Sequence, residues 1–549
     1  MNHPAVGSVC SVMRSHGATR PDPSLGLIDA AFQDLGEDFE ELAFLAGSMS
    51  RRMQRTDAEL IRARRHLEGS SLDLLQEQLR WFRSRYDRMR RTALGLRLEA
   101  RRGRRSIPIM NGLAERKRSL AFQARVLQST GAALVTSSDW QSPSYEHAVW
   151  SMAGRYTGRI TEHADDYKRD RHQDAAAYER AYLREYIDGW ERLNLGAVMT
   201  ASGMAAFTTI LGYLTMERLS PGAILVGRST YHECRDLLRA GPLGSRTREV
   251  PEPDTDRLLT TIDATDAGTL FMDTLCNARG IPVPDVARII QHVGRRGRPF
   301  TLVLDNTGRS CSFQPFSLLP CNPSQLRLIV FESLTKYPQF GLDRATGGMI
   351  VASPGDARGL DRYREHLGTN VTDSTVWTIP EPNRAILLRR LGRLGRNAAL
   401  LARRLSEVAE DHPGALEGIG HPSLARHPSH HLLDGSAFPG GFLSLDLRPH
   451  LQRTDVYRAM VRSMLEEARR RRVPLAAGAS FGFDTTRIYL TAATAACARP
   501  YLRVSSGTEH LAAATAVADV LCAAVTGLGG LVSASDESPG RIGLRGGLE

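Results

Sequence analysis

The pattern of apolar and polar positions divides the chain into two textures. From about Leu27 to Arg105 apolar residues recur at helical spacing. Leu72, Leu75, Leu79, Phe82, Tyr86 and Met89 step alternately by three and four, which lines them along one helix face. Ser70 or Ser71 stands where an N-cap belongs. This seam predicts a helical hairpin packed on itself, on the main body or on a partner subunit. The run "RRGRRSIP" then breaks the period and reads as a linker. From about Gly131 short aliphatic runs ("GAILVG", "TLFMD", "FTLVLD", "LRLIVFE", "GGMIVAS") alternate with helix-like stretches such as "SGMAAFTTILGYL" and "PDVARIIQHVGRR". The alternation predicts βαβ units and a mostly parallel sheet. Beyond Pro380, "NRAILLRRLGRLGRNAALLARRLSEVAE" predicts a long amphipathic helix, followed by a second α/β segment with strands "GGFLSLDL" and "TRIYLTA".

The expected organisation is a disordered lead (1–25), a basic helical extension (26–130), a large α/β domain (131–385), a smaller C-terminal α/β domain (386–527) and a flexible tail rich in Gly and Ser (528–549). Composition fits this: 549 residues, 42% of them hydrophobic, suffice for two or three domains with their own cores. The net charge of +11 is unevenly placed. Between Arg51 and Leu120 about 20 basic residues face about 8 acidic ones, so the remainder is close to neutral. A basic helical region raises the possibility of a nucleic-acid-binding regulator. Against that, no clean helix-turn-helix is present, and the apolar seam suits helix packing. Oligomer scaffolding, a substrate lid or a docking site for a carrier protein are alternatives for the extension.

No apolar run is read as reaching the ~18 residues that cross a bilayer, and the N-terminus lacks the apolar core of a secretory signal. Seven scattered cysteines without a CxxC pair argue against a disulfide framework and a zinc site. The expectation is a cytoplasmic protein without metal or membrane partner.

Only three of the 71 basic residues are lysines: Lys117, Lys168 and Lys336. An amine on a flexible stem condenses with an aldehyde or ketone, whereas a guanidinium does not. Lys336 follows the buried-strand pattern "LRLIVFE", with Ser333 and Thr335 beside it. Ligands bind at such strand ends in open α/β sheets, and hydroxyls flanking an amine suit a phosphate next to an imine.

The stretch "SLTKY", with "GLD" and "TGG" after it, resembles the Schiff-base lysine motif of the pyridoxal-phosphate enzymes of cysteine and methionine metabolism. That family includes cystathionine γ-synthase, the cystathionine lyases and methionine γ-lyase. The resemblance implies a fold type I architecture: a large domain like that of aspartate aminotransferase and a smaller C-terminal α/β domain, here behind an N-terminal helical extension. Further pieces recur in the family's order over about residues 140–525. "TASGMAAFTTIL" resembles the phosphate-cradling turn, with the backbone of Gly203 and Met204 at a helix N-terminus. "STYHECRDLL" is similar to the segment whose tyrosine, Tyr231, stacks on the pyridine ring. "LFMDTLCNARG" resembles the stretch whose asparagine, Asn277, contacts the cofactor's phenolic oxygen, although Ala278 replaces the usual proline. "FTLVLDNTGRS" matches the strand whose aspartate, Asp305, pairs with the pyridinium nitrogen and keeps it protonated. Tyr167 and Arg169 in "DDYKRDR" resemble the Tyr-x-Arg that reaches the phosphate of the neighbouring subunit, which implies a homodimer or homotetramer with shared sites. "PYLRVSSGTEHL" and "GASFGFD" supply Arg503 and the backbone of Ser480 for the α-carboxylate of an amino-acid substrate.

Lys336 then doubles as Schiff-base residue and general base, and the implied reaction is a γ-replacement through a vinylglycine-type quinonoid intermediate. The chain departs from the family at His232, Glu233 and Cys234 after the stacking tyrosine, and at "FGLD" (340–343) where "GHSD" is familiar. Glu233 would suit a cationic or hydroxyl-bearing substrate better than a simple thiol. The expected reading is a specialised enzyme of secondary metabolism, with S-adenosylmethionine as a compatible substrate and a carbon nucleophile as a compatible partner. A γ- or β-lyase and an aminotransferase remain alternatives on the same fold.

Overall fold

The computed structural model describes residues 26–63, 70–136, 173–319, 325–491 and 499–536. Three long helices open it: α1 (Leu27–Ala63), α2 (Ser70–Arg102) and α3 (Ile107–Thr136). Phe32, Leu35, Phe39, Leu42, Met49 and Met53 of α1 are buried in one core with Leu79, Tyr86 and Met89 of α2, so the seam read from the sequence is a packed face. The extension is a three-helix unit and not a hairpin. The expected linker shrinks to residues 103–106, because Ile107 and Pro108 already belong to α3. Proline in a helix's first turn gives up no hydrogen bond, since those N–H groups have no helical acceptor. The domain boundary expected at 130/131 therefore falls inside α3.

The large domain contains α4 (Gln173–Tyr186), β1 (Gly196–Thr200), α5 (Gly203–Met216), β2 (Ala223–Gly227), α6 (His232–Ala240), β3 (Thr247–Val250), α7 (Thr255–Ala264), β4 (Ala267–Asp273), α8 (Val286–Arg295), β5 (Phe300–Asp305), β6 (Leu326–Ser333), β7 (Gly348–Ala352), α9 (Pro354–His366) and α10 (Asp373–Thr378). Its strands form a seven-stranded sheet in the order β1-β7-β6-β5-β4-β2-β3. The run from β3 to β6 is parallel, and β7 lies antiparallel to both its neighbours. Continuous apolar strands such as "FTLVL" are buried on both faces, as parallel strands under helices must be. The parallel register brings the C-terminal ends of β4, β5 and β6 to one edge, with Asp273 opposite Asp305.

The smaller domain follows: α11 (Arg384–Asp411), β8 (Leu416–Gly420), α12 (His430–Leu433), β9 (Phe442–Leu447), α13 (Thr454–Arg471), β10 (Ala476–Ala477), β11 (Arg487–Thr491), β12 (Tyr501–Ser505) and α14 (Leu511–Asp536). Its five strands run in the order β10-β11-β12-β9-β8. Two sequence expectations are corrected here. Helix α14 continues to Asp536, beyond the start of the expected flexible tail at 528. The window Leu511–Leu528 within it is also long and apolar enough to cross a membrane. In the fold Val517, Ala518, Leu521 and Val525 of this helix pack into the core of the smaller domain.

Candidate active site

Strand β6 ends at Ser333, and Lys336 caps the short turn that follows, Tyr337–Gln339. The Lys336 amine donates to Ser480 Oγ at 2.7 Å and lies 5.5 Å from the Phe481 ring centre. Burial lowers its pKa below the ordinary lysine value, and the Arg503 guanidinium lowers it further, against Asp343, Asp305 and Glu233. Ser480 has a left-handed backbone (φ 72°). One residue thus offers its hydroxyl to Lys336 and its carbonyl to Arg503 Nη2, 3.2 Å away.

Arg503, on β12, is buried, and its Nη1 donates to Asn277 Oδ1 at 3.0 Å. Its guanidinium lies 5.4 Å from the Tyr489 ring centre. No carboxylate among the described residues pairs with it, and its Nε has no hydrogen-bond partner. A buried guanidinium held only by neutral groups can receive an anion.

The opposite wall is the edge of the sheet. Asp305 ends β5 and accepts from the Thr307 N–H at 2.8 Å. Burial raises its pKa, against the Thr307 hydrogen bonds and the charge of Lys336. Asp273, beside it on β4, is held well above the carboxylate range by burial and by the charge of Asp305. Its Oδ1 accepts from the Tyr231 N–H at 3.4 Å. Tyr231 sits at the N-terminus of α6, where burial and a hydrogen bond to Glu233 raise its phenol. Glu233 itself is about half exposed, 3.8 Å from His232.

Helix α5 points its N-terminus at the same edge. Ser202 caps it by accepting from the Ala205 N–H at 2.9 Å, while the N–H groups of Gly203 and Met204 precede any helical acceptor. A Cβ on Gly203 would stand 2.8 Å from the Ser333 Cβ, so only glycine lets α5 come this close to β6. The Ser333 N–H donates to Thr307 Oγ1 at 2.8 Å, and Thr335 Oγ1 accepts from the Gly347 N–H at 3.4 Å.

The fold therefore gathers Lys336, Ser480, Arg503 and Asn277 into one bonded constellation. Asp305, Tyr231, Gly203, Met204, Ser333 and Thr335 belong to the adjoining sheet edge. Tyr167 and Arg169 lie outside the described residues. The sequence reading missed Asp273, Thr307 and Phe481. Asp273 was legible in principle, because "TLFMD" and "FTLVLD" both end in aspartate and neighbouring parallel strands end together.

The family model for the Cys/Met metabolism pyridoxal-phosphate-dependent enzymes matches residues 128–466. The chain belongs to that family. Helices α1 and α2 and most of α3 precede the matched range. Among curated proteins, the bifunctional enzyme flvA of Aspergillus flavus is 26% identical over 340 residues, which is 58% of this chain and 38% of that protein. The chain thus spans well under half the length of that relative. Among solved structures, cystathionine gamma synthase from Xanthomonas oryzae pv. oryzae aligns with a TM-score of 0.53 at 20% identity, covering 70% of this chain and 91% of that one. CalE6, a methionine gamma lyase from Micromonospora echinospora, aligns with a TM-score of 0.51 at 20% identity, covering 66% and 88%. These likenesses show the fold type I architecture expected from the sequence.

The residues present fit the family's cofactor, pyridoxal phosphate. The bare Gly203 turn with its free N–H groups suits a phosphate. The buried carboxylate of Asp305 suits a protonated ring nitrogen, and a lysine amine with lowered pKa suits an aldehyde.

Proposed function

We propose that this chain catalyses γ-replacement on an amino acid bearing a leaving group on its γ-carbon. The observation that supports this most is the buried Arg503 guanidinium, which lacks a carboxylate partner among the described residues and shares Ser480 with Lys336. In this reading Arg503 and the Ser480 backbone grip the substrate's α-carboxylate. Gly203, Met204, Ser333 and Thr335 hold the cofactor phosphate, with Tyr167 and Arg169 completing the site across a homodimer or homotetramer. Tyr231 would stack on the ring, Asn277 would contact its phenolic oxygen and Asp305 would keep the ring nitrogen protonated. When bound, pyridoxal phosphate supplies an electron sink conjugated to the substrate amine.

The Lys336 amine would take the substrate's α-proton and carry protons to and from the β- and γ-carbons. Burial and the nearby Arg503 lower its pKa and enlarge the neutral fraction able to do so. Glu233, in the stretch after Tyr231 where the chain departs from the family, favours a γ-substituent that is cationic or bears a hydroxyl. A sulfonium such as S-adenosylmethionine, with a carbon nucleophile, meets that requirement, and specialised metabolism in the cytoplasm is the setting we propose for it.

The test is incubation of the cofactor-loaded protein with a panel of γ-substituted amino acids in deuterated water, followed by mass analysis. Deuterium at both Cα and Cβ, together with a new γ-substituted product, is expected. Exchange confined to Cα would point to an aminotransferase or β-lyase and remove the γ-reading.

A further inference from the structure

The first half of α1 is acidic without relief: Asp29, Asp34, Glu37, Asp38, Glu40 and Glu41 precede its first arginine, Arg51. Asp34, Glu37, Asp38 and Glu41 recur at helical spacing on one face, which meets the arginines of α11. Arg396 pairs with Asp34 at 2.8 Å, Arg393 with Asp38 at 2.7 Å and Arg390 with Glu41 at 2.7 Å. The Arg390 side chain is 1% exposed.

Arg390 differs from its neighbours in what its other nitrogen holds. Nη2 donates to the Gly482 carbonyl at 2.9 Å and to Asp484 Oδ1 at 2.8 Å. Residues 480–484 form the loop that offers Ser480 to Lys336 and Arg503. Gly341, in the loop that follows Lys336, lies directly beneath the same guanidinium: a Cβ there would be 2.5 Å from Arg390 Nη2. Gly482 in turn abuts Tyr337, where a Cβ would stand 3.3 Å from the backbone nitrogen. Arg390 thus sits over the junction of the two loops that carry the reacting groups.

Helix α3 reaches the same junction. Arg125 Nη2 donates to the Gly341 carbonyl at 2.7 Å. Lys117 pairs with Asp38 at 2.9 Å and donates to Thr508 Oγ1 at 3.2 Å, and Thr508 Oγ1 donates to Asp484 at 3.3 Å. Phe44 of α1 packs on Phe340 with ring centres 5.9 Å apart. A cavity of about 10 Å³, room for one water, lies among Asp38, Glu41, Lys117, Arg125, Gly341 and Asp484.

We propose that the N-terminal extension is a clamp on the active site, with Glu41 and Arg125 as positioning residues that fix the Lys336 and Ser480 loops through Arg390 and Gly341. Neither residue is bonded to Lys336, Ser480 or Arg503. Their effect passes through the angle at which Ser480 meets Lys336 and Arg503. The inference rests on the reading of Lys336 and Arg503 given above.

The experiment compares Glu41→Gln and Arg125→Met with Glu37→Gln in the full cofactor-loaded protein. Glu37 lies on the same helix face but pairs with Arg393, which does not touch either loop. Hydrogen exchange of peptides 336–343 and 479–484 is followed alongside the pH midpoint of the cofactor's visible band. KM and kcat are measured for the substrate found active. Faster exchange in both loops, a displaced midpoint and a roughly tenfold or greater loss in kcat/KM are expected for Glu41→Gln and Arg125→Met. Glu37→Gln should lower the melting temperature alone. Identical loop exchange and midpoint in all three variants and the parent would overturn the clamp. So would equal changes in all three, which would mark the extension as general scaffolding. If Glu41→Gln does not fold, Arg125→Met decides alone. If the parent carries no cofactor on Lys336, the functional reading fails instead, and loop exchange still decides the mechanical claim.

Discussion

The candidate active-site edge and the seam between extension and body both bury charge, and they handle it in opposite ways. At the edge, Arg503 has only neutral partners among the described residues, and Lys336 rests on a serine hydroxyl. Asp305 and Asp273 crowd each other, and among the described residues no cation is bonded to either. At the seam the matching is dense: Arg393 alone touches Asp34, Glu37 and Asp38. Charge left unmatched costs free energy and is kept where a ligand will complete it, whereas matched charge fixes one packing arrangement. The difference separates chemistry from scaffold, and each side can be attacked independently.

The largest effect should come from Lys336→Ala, which on the proposed reading removes both the amine that captures the aldehyde and the general base. A loss of at least ~10³-fold in turnover is expected, with no borohydride-fixed cofactor and little change in melting temperature. On the other side, Arg393→Met should cost about 3–5 kcal/mol of stability by denaturant titration, because three carboxylates lose their buried partner. Its cofactor band should keep the parent's pH midpoint, and a displaced midpoint would erase the contrast between edge and seam.

Arg503→Lys keeps the charge and loses the fork. KM for the amino acid should rise by a factor equivalent to about 2–3 kcal/mol, with a smaller change in kcat.

pH supplies a further separation. Burial pushes His421, wholly within the smaller domain, down to about 4. A base whose folded pKa is depressed contributes stability that is fully present above its unfolded pKa of ~6.5 and is lost as pH falls toward the folded value. Between pH 7 and pH 5 the parent should therefore lose about 2 kcal/mol more than His421→Gln does, the other titrating groups being common to both. The smallest effect belongs to half-exposed Glu233, where Glu233→Gln should change the preference between cationic and neutral substrates by roughly fivefold or less. No change in that ratio would remove Glu233 from substrate selection.

The edge was far more legible in the sequence than the seam. Lys336, Asp305 and the Gly203 turn lie in short contiguous patterns whose chemistry is local: a strand end, a helix start, an amine. The bond from Arg503 to Asn277 spans 226 positions and joins two domains, so no local pattern announces it. In the extension, the apolar seam of α2 was readable because its period is strict. Helix α3 was masked by an arginine-rich stretch and a proline, although Pro108 sits in a first turn where it does no harm. The acidic face of α1 has the same helical spacing as an apolar face, yet its partner arginines lie some 350 positions away. Charge pairs at that distance have no periodicity to betray them.

The bare backbone at Gly341 and the ring of Phe340 carry one last consequence. Both have tenants: Phe44 leans on one, Arg390 and Asp484 lie across the other. A homologue without the first hundred residues would have nothing to seat there. Aromatic-then-glycine at this spot should accordingly be inherited together with the helical preface, and be lost with it, as a mark by which clamped members of the lineage can be told from unclamped ones.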